Sequence, residues 1–401
     1  MAILGVVSEF NPFHKGHQYL LQESRSRLGG DTTVICVMSG DFVQRGEAAC
    51  FDKFSRAEAA CRSGADLVIE LPLPWCISSA EGFARGAVAL LAALGCTHLS
   101  FGSESGDLTG LQRVADALGD PTIHEAIQSI LSADPTLPYA RARQMALAKS
   151  LWDDALLLEE PNNILGIEYM KAIRSLGCDL TPMTIQRFGS AHDAVSAGVQ
   201  PSAMQLRRML LEGEQLDESI PSEAMQVFWK EIEKGRSWNP RLLDRMLRSR
   251  LYTLNAEDFE MLPDSGDGAG RRLYKALQEG KSLEDTAALA ATKRYTRARM
   301  RRMLLCAALG IRKEDLEALP PYVRLLAINE KGRTFLHENS VDIALPIVTK
   351  PAMARDLGKT ADHVFSMGAS AHDLYCLQFM TNSVICMSED WKHGPVLVKN
   401  C

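Results

Sequence analysis

Residues 2–17 read Ala-Ile-Leu-Gly-Val-Val-Ser-Glu-Phe-Asn-Pro-Phe-His-Lys-Gly-His. The apolar run Ala2–Val7 predicts a buried strand, and Gly16–Leu28 predicts a helix directly behind it. Between them lies Asn11-Pro12-Phe13-His14-Lys15-Gly16-His17. A helix that opens beside a strand end presents unpaired backbone N–H groups and a partial positive charge, which suits phosphate. Gly16 allows close backbone approach. His14 and His17, three residues apart, share one face and can donate to phosphate oxygens, most strongly when protonated. Two surface histidines in a turn is the plainer alternative. An H-x-x-H metal pair is another, with no third ligand near it in sequence.

Outward from this stretch, strands and helices alternate. Thr32–Met38, Asp66–Leu71 and Thr97–Phe101 are β-branched or apolar and read as strands. Asp52–Ser63 reads as a helix with Asp52 as N-cap, and Ser78–Leu94 carries apolar residues at helical spacing. Thr181–Gln186 reads as a further strand, and Asn162–Leu176 and Ser202–Leu211 as helices packed on the same unit. The pattern predicts an α/β fold, a doubly wound parallel Rossmann-like sheet, with ligands beyond the carboxyl ends of its strands. After Glu212 the chain becomes charged and helical. Two domains are therefore expected: 1–215, nucleotide-binding and catalytic, and 216–401, mainly helical.

The 401 residues are 46% hydrophobic and 23% charged with a net charge of −6, ordinary for a soluble protein and unlike a wholly basic nucleic-acid coat. No apolar run approaches a membrane span, and residues 1–8 lack the basic start and cleavage site of a signal peptide, so a cytoplasmic location is expected. The ten cysteines form no C-x-x-C pair, and no metal ligand is assigned.

The H-x-G-H run resembles the nucleotidyltransferase superfamily related to class I tRNA synthetases. The wider pattern is similar to the bacterial tRNA(Met) cytidine acetate ligase family. The matching segments are VSEFNPFHKGH (7–17), MSGDFVQRGE (38–47), GADLVIELP (64–72), FARGAV (83–88), FGSESGD (101–107) and PNNILGIEY (161–169). TKRYTRAR (292–299) and NEKGR (329–333) extend the likeness into the second half. Lys15 departs from the usual Asn, and Ala191 stands before His192-Asp193 where Tyr is common.

The resemblance implies that acetate is activated with ATP to acetyl-adenylate and passed to N4 of the wobble cytidine of elongator tRNA(Met). Magnesium is expected with ATP, although no carboxylate cage is visible. The implied ATP contacts are Val7, Ser8, Glu9, Phe10, Asn11, Pro12, Phe13, His14, Lys15, Gly16, His17, Gln18, Tyr19, Leu20, Gly102, Asn162 and Arg187. His14 and His17 take the catalytic role at the phosphates, and Phe10 or Phe13 would bound the acetate pocket. Gly102 is expected just after its strand. Asn163, beside Asn162, reads equally as a helix cap, and Arg187 as a solvated charge. Ser202-Ala203-x-x-x-Arg207 resembles a degenerate second phosphate motif, with Ser202 alternatively a plain N-cap.

For RNA, Ala291–Lys313 concentrates arginine without an acidic residue, and Arg294, Arg297 and Arg301 form a predicted stripe. Arg236, Arg241, Arg245, Arg248 and Arg250 form a second cluster. A small-molecule adenylyltransferase without an RNA substrate is the competing reading; it has no evident use for the basic helical half.

Overall fold

The computed structural model describes residues 2–134, 136–187, 201–216, 218–236, 238–379 and 387–399. Ala191, His192 and Asp193 lie outside them. The first strand, β1 (Ile3–Ser8), pairs in parallel with β2 (Thr33–Ser39) and with β6 (His98–Ser103). β5 (Leu67–Leu71) follows β2, and β7 (Thr181–Gln186) follows β6, again in parallel. A two-stranded hairpin, β3 (Phe42–Val43) and β4 (Glu47–Ala48), stands on the loop beyond β2.

Side chains alternate across a strand, so a sheet covered on both faces is apolar at every position. That is how these strands are used. Leu4, Val6, Val34, Cys36, Met38 and Val68 join one core, with residues of α1 (Lys15–Leu28) and α2 (Lys53–Arg62). Val7, Ile35, Val37, Leu67, Ile69 and Leu71 join the other, with the helices Ala80–Ala93 and Pro161–Leu176. The doubly wound α/β reading therefore describes the protein, with the predicted strand ends shifted by one or two residues.

Separation at residue 215 does not describe how the sheet is built. β8 (Val323–Ile328) lies antiparallel to β5, pairing Leu67 with Ile328 and Glu70 with Arg324. β9 (Ile347–Val348) and β10 (Val396–Leu397) pair in parallel with β8. The path across the sheet is β10-β8-β5-β2-β1-β6-β7, with β9 beside β8. Residues 222–309 are helical as expected, but the chain then returns to complete the sheet. The reason is physical: β5 is buried along its whole length and needs a partner for its outer hydrogen-bonding edge.

The antiparallel entry of β8 sets its first residues beside the last residues of β5. Arg324 Nη1 thereby lies 3.2 Å from Glu70 and 2.6 Å from Asp390, and Lys53 Nζ lies 3.0 Å from Glu70 and 2.8 Å from Asp390. All four side chains are buried. Burial alone would raise the Asp390 carboxyl, but Arg324 and Lys53 hold it well below the carboxylate range. This cluster fastens the C-terminal segment under the rim where the strands end.

Candidate active site

Five strand ends converge on one rim: β1 at Ser8, β2 at Ser39, β5 at Leu71, β6 at Ser103 and β7 at Gln186. The loop leaving β1 is held from several sides. Asn11 Oδ1 accepts from Cys50 N at 2.8 Å, the Asn11–Pro12 peptide is cis, and Phe10 and Phe13 are buried. Phe10 and Phe13 pack on each other and on His17, with ring centroids 4.9 to 5.6 Å apart. They form the floor beneath the histidines.

His14 is the N-cap of α1. Its Nδ1 accepts from Gly16 N at 3.1 Å, and His17 Nδ1 accepts from His14 N at 3.2 Å. The rings stack 3.8 Å apart. Gly16 is required by this approach, since a Cβ there would sit 2.9 Å from the His14 ring. With both Nδ1 atoms accepting from backbone, each neutral ring carries its proton on Nε2. Neither Nε2 has a hydrogen-bond partner among the described residues.

One expectation is corrected here. The first N–H groups of α1 are already used: Lys15 N donates to Ser219 O at 2.9 Å, Gly16 N to His14 Nδ1, and His17 N to His14 O at 2.9 Å. The imidazoles, not the backbone, carry the outward donors. Those imidazoles are also neutral in the free protein. Burial, with Arg187 nearby, lowers His14 to about 4, and burial, His14 and Arg187 drive His17 well below its usual value. Proton donors held neutral attract an anion without the desolvation cost of a buried cation.

Gly102 lies inside β6, opposite Ile185, and not beyond it. A Cβ there would approach Arg187 Cγ to 3.2 Å, so the missing side chain makes room for Arg187 to cross the strand. Arg187 N donates to Ser103 O at 2.9 Å, which extends the β6–β7 ladder by one bond. Asn162 Nδ2 donates to Glu104 Oε1 at 2.5 Å, and the amides of Asn162 and Asn163 also donate to that carboxylate. Glu104 thus occupies the N-terminus of the Pro161–Leu176 helix. Asn163 Oδ1 in turn accepts from Glu104 N and Ser105 N. Asn163 is therefore a loop clamp, and Asn162 is oriented by Glu104.

Arg207 is buried and turns inward. It donates to Asn11 O at 2.9 Å and pairs with Glu47 at 3.2 Å, while Ser202 caps its helix by accepting from Gln205 N. Glu47 also accepts from Arg301 at 3.1 Å. A continuous chain therefore runs from the Arg297–Leu309 helix through Arg301, Glu47 and Arg207 to the backbone of Asn11.

The arginine stripe is differently arranged from expectation. Arg294 precedes Thr296, the N-cap of that helix, and pairs with Asp267 at 2.7 Å. Arg297 and Arg301 share a helix face and both pair with Glu284. In the second cluster, Arg236 pairs with Glu389 at 2.6 Å and Arg248 donates to the carbonyls of Gly280 and Lys281.

The functional side chain that the sequence concealed is Arg56 on α2, which is fully buried. It donates to Glu9 O at 2.6 Å, Phe51 O at 2.9 Å, Ser39 O at 3.2 Å and Gly40 O. One guanidinium thus holds the loops after β1 and β2.

The HIGH Nucleotidyl Transferase family model matches residues 1–389. The tRNA(Met) cytidine acetate ligase of Thermoanaerobacter sp. (strain X514) is 37% identical over 396 residues, covering 96% of this chain and 97% of the relative. That of Syntrophotalea carbinolica is 38% identical over 357 residues, covering 87% and 85%. This chain belongs to the tRNA(Met) cytidine acetate ligase family. The fold agrees: Thermotoga maritima TmcAL bound with alpha-thio ATP superposes with a TM-score of 0.91 at 32% identity, covering 100% of both chains. The apo form of that protein gives a TM-score of 0.92, with the same identity and coverage. Among the described residues no helix is long and apolar enough to cross a membrane.

The neutral histidines give folding a pH dependence of definite sign. An unfolded imidazole titrates near 6.5, and folded His14 near 4. Its stabilising contribution is complete above about pH 6.5 and is lost as pH falls toward 4. Denaturant unfolding of wild type and His14→Gln across this window should show wild type losing roughly 1 kcal/mol more per pH unit. Parallel pH profiles would contradict the buried neutral ring.

Proposed function

We propose that this protein activates acetate with ATP and transfers the acetyl group to N4 of the wobble cytidine of elongator tRNA(Met). The observation that carries the reading is the pair of Nε2–H donors at the β1–α1 junction, in a chain matching tRNA(Met) cytidine acetate ligases along nearly their whole length. An acetate oxygen attacks the α-phosphorus, the bond to pyrophosphate breaks, and acetyl-adenylate forms. The N4 amine then attacks the acetyl carbon, AMP leaves with its bonding electrons, and the amine loses a proton.

The first step demands alignment and charge stabilisation rather than a covalent nucleophile. His14 and His17 donate to phosphate oxygens, and Arg187 supplies a fixed positive charge across Gly102. Val7, Ser8, Glu9, Phe10, Asn11, Pro12, Phe13, Lys15, Gly16, Gln18, Tyr19 and Leu20 build the surrounding wall and floor, with Asn162 at the nucleotide. Magnesium enters as MgATP, bound mainly by the triphosphate. The helical segment holding Arg294, Arg297 and Arg301 receives the RNA, whose phosphates replace carboxylates as partners of the arginines.

Acetate-dependent exchange of pyrophosphate into ATP tests the first step without tRNA. Wild type should exchange, and His17→Ala should lose at least ~10²-fold, the scale of one preorganised donor. Exchange undiminished in that variant would remove the histidine from the mechanism.

The Arg301–Glu47–Arg207 chain separates the arginines by role. Arg294→Ala with Arg297→Ala should leave exchange nearly intact and weaken tRNA binding, flattening its log–log salt slope by roughly 0.7–0.9 per lost phosphate contact. Arg301→Ala should weaken both binding and exchange, because it unsettles Glu47. If all three substitutions behave alike, the relay to Asn11 has no functional effect.

A further inference from the structure

Next to Asp41, on the loop after β2, a second group of ligand-type side chains is gathered. His372 and Cys376 stand one turn apart on the Lys359–Cys376 helix, on the same face and both buried. Glu389 reaches them from the C-terminal segment. Its backbone is set by Ser388, whose N–H donates to both carboxylate oxygens of Asp373 at 2.9 and 3.0 Å. His372 Nε2, Cys376 Sγ and Glu389 Oε2 form a triangle with edges of 3.5, 3.8 and 3.9 Å.

The 3.9 Å edge is too long for a hydrogen bond between a buried imidazole and carboxylate. It does fit two ligands of one cation. Bonds of about 2.0–2.2 Å to nitrogen and oxygen and about 2.3 Å to sulfur, at tetrahedral angles, space the ligand atoms about 3.3–3.6 Å apart. The observed triangle is slightly wider on two edges and needs a contraction of a few tenths of an ångström.

Behind the triangle, Asp41 Oδ2 lies 2.7 Å from His372 Nδ1. A carboxylate on the rear nitrogen fixes the imidazole with Nε2 forward, as metal-bound histidines require. Glu389 Oε1 is held by Arg236 at 2.6 Å, which leaves Oε2 directed at the triangle.

We propose that His372, Cys376 and Glu389 bind one divalent cation of the Zn2+ class, with Asp41 as the orienting group and a solvent molecule as fourth ligand. Imidazole, thiolate and one carboxylate favour zinc over calcium or magnesium, which take oxygen ligands. From the imidazolium form of His372, in which Nδ1 keeps its proton toward Asp41, binding replaces the Nε2 proton and the proton on the thiol. Two protons leave as Zn2+ enters, so the net charge of the pocket is unchanged whichever occupies it. The cation would tie the 387–399 segment, with its Asp390 contacts to Lys53 and Arg324, to the loop that carries Asp41. Its part is structural, and it lies outside the acetate and ATP chemistry.

The test uses the full chain, stripped with a chelator, kept reduced and titrated with Co2+ alone. One equivalent should saturate a thiolate-to-cobalt charge-transfer band together with the intense visible bands of a tetrahedral ion, and Zn2+ should displace both. Cys376→Ser should abolish the charge-transfer band, and Glu389→Gln should weaken Co2+ at least tenfold; both leave the Asp41–His372 pair in place. Absence of saturable binding would mean that ion pairing to the imidazolium, not a metal, gathers these groups. A six-coordinate spectrum, or a charge-transfer band surviving in Cys376→Ser, would place the metal on other residues. Each of these results overturns the proposal.

Discussion

The site depends on one buried guanidinium. Strand ends at the rim of a parallel sheet leave carbonyl groups that no neighbouring strand can satisfy, and buried carbonyls left unpaired cost about 1–3 kcal/mol each. Arg56 answers this for two loops at once, through Glu9, Ser39, Gly40 and Phe51. Five donors in a planar fork suit arginine to the task, and lysine lacks the reach. Because Glu9 and Asn11 flank the turn into α1, the position of both histidines follows from where Arg56 holds that loop. The Arg56 anchor is itself fixed, since α2 begins at Asp52, whose side chain accepts from Ser55 N at 2.9 Å.

Around this anchor the rim is arranged as linked charges. Lys53, Glu70, Arg324 and Asp390 neutralise one another beneath β5 and β8. Glu104 is committed to a helix N-terminus, and Glu47 to two arginines. At the β1–α1 junction a pair of neutral N–H donors stands with Arg187 nearby, and burial pushes the Glu9 carboxyl beside them up. Such an arrangement favours a polyanion over a small neutral ligand, and costs little reorganisation when charge shifts along the phosphates.

Much of this was legible in the chain. Apolar and β-branched runs made β1, β2, β5 and β6 readable, and Thr181–Gln186 and the Asp52 cap stand where spacing and capping chemistry put them. The H-x-G-H run was readable because glycine and histidine there answer to local geometry alone. What escaped was non-local. β8 pairs with a strand more than 250 positions earlier, and no periodicity reports a partner that distant. Arg56 sits in a helix that the fold buries on nearly every side, whereas in sequence a lone arginine in a helical stretch reads as solvated. Arg294 shared a helical spacing with Arg297 and Arg301, but the helix begins only after the Thr296 cap, which leaves Arg294 outside it. The histidine charge state was not legible because burial and Arg187 are supplied by the fold, and the ring tautomer by hydrogen bonds.

Hydrogen exchange of the folded Arg56→Lys variant tests the central claim most directly. Two or more charged hydrogen bonds would be lost, at roughly 1.5–3 kcal/mol each. Amides in residues 9–14 and 39–51 should exchange at least about tenfold faster than in wild type, while those of the Ala80–Ala93 and Pro161–Leu176 helices keep their protection. Unchanged protection in both loops would contradict the account, and Arg56 would then be one more packed side chain instead of the anchor of the site.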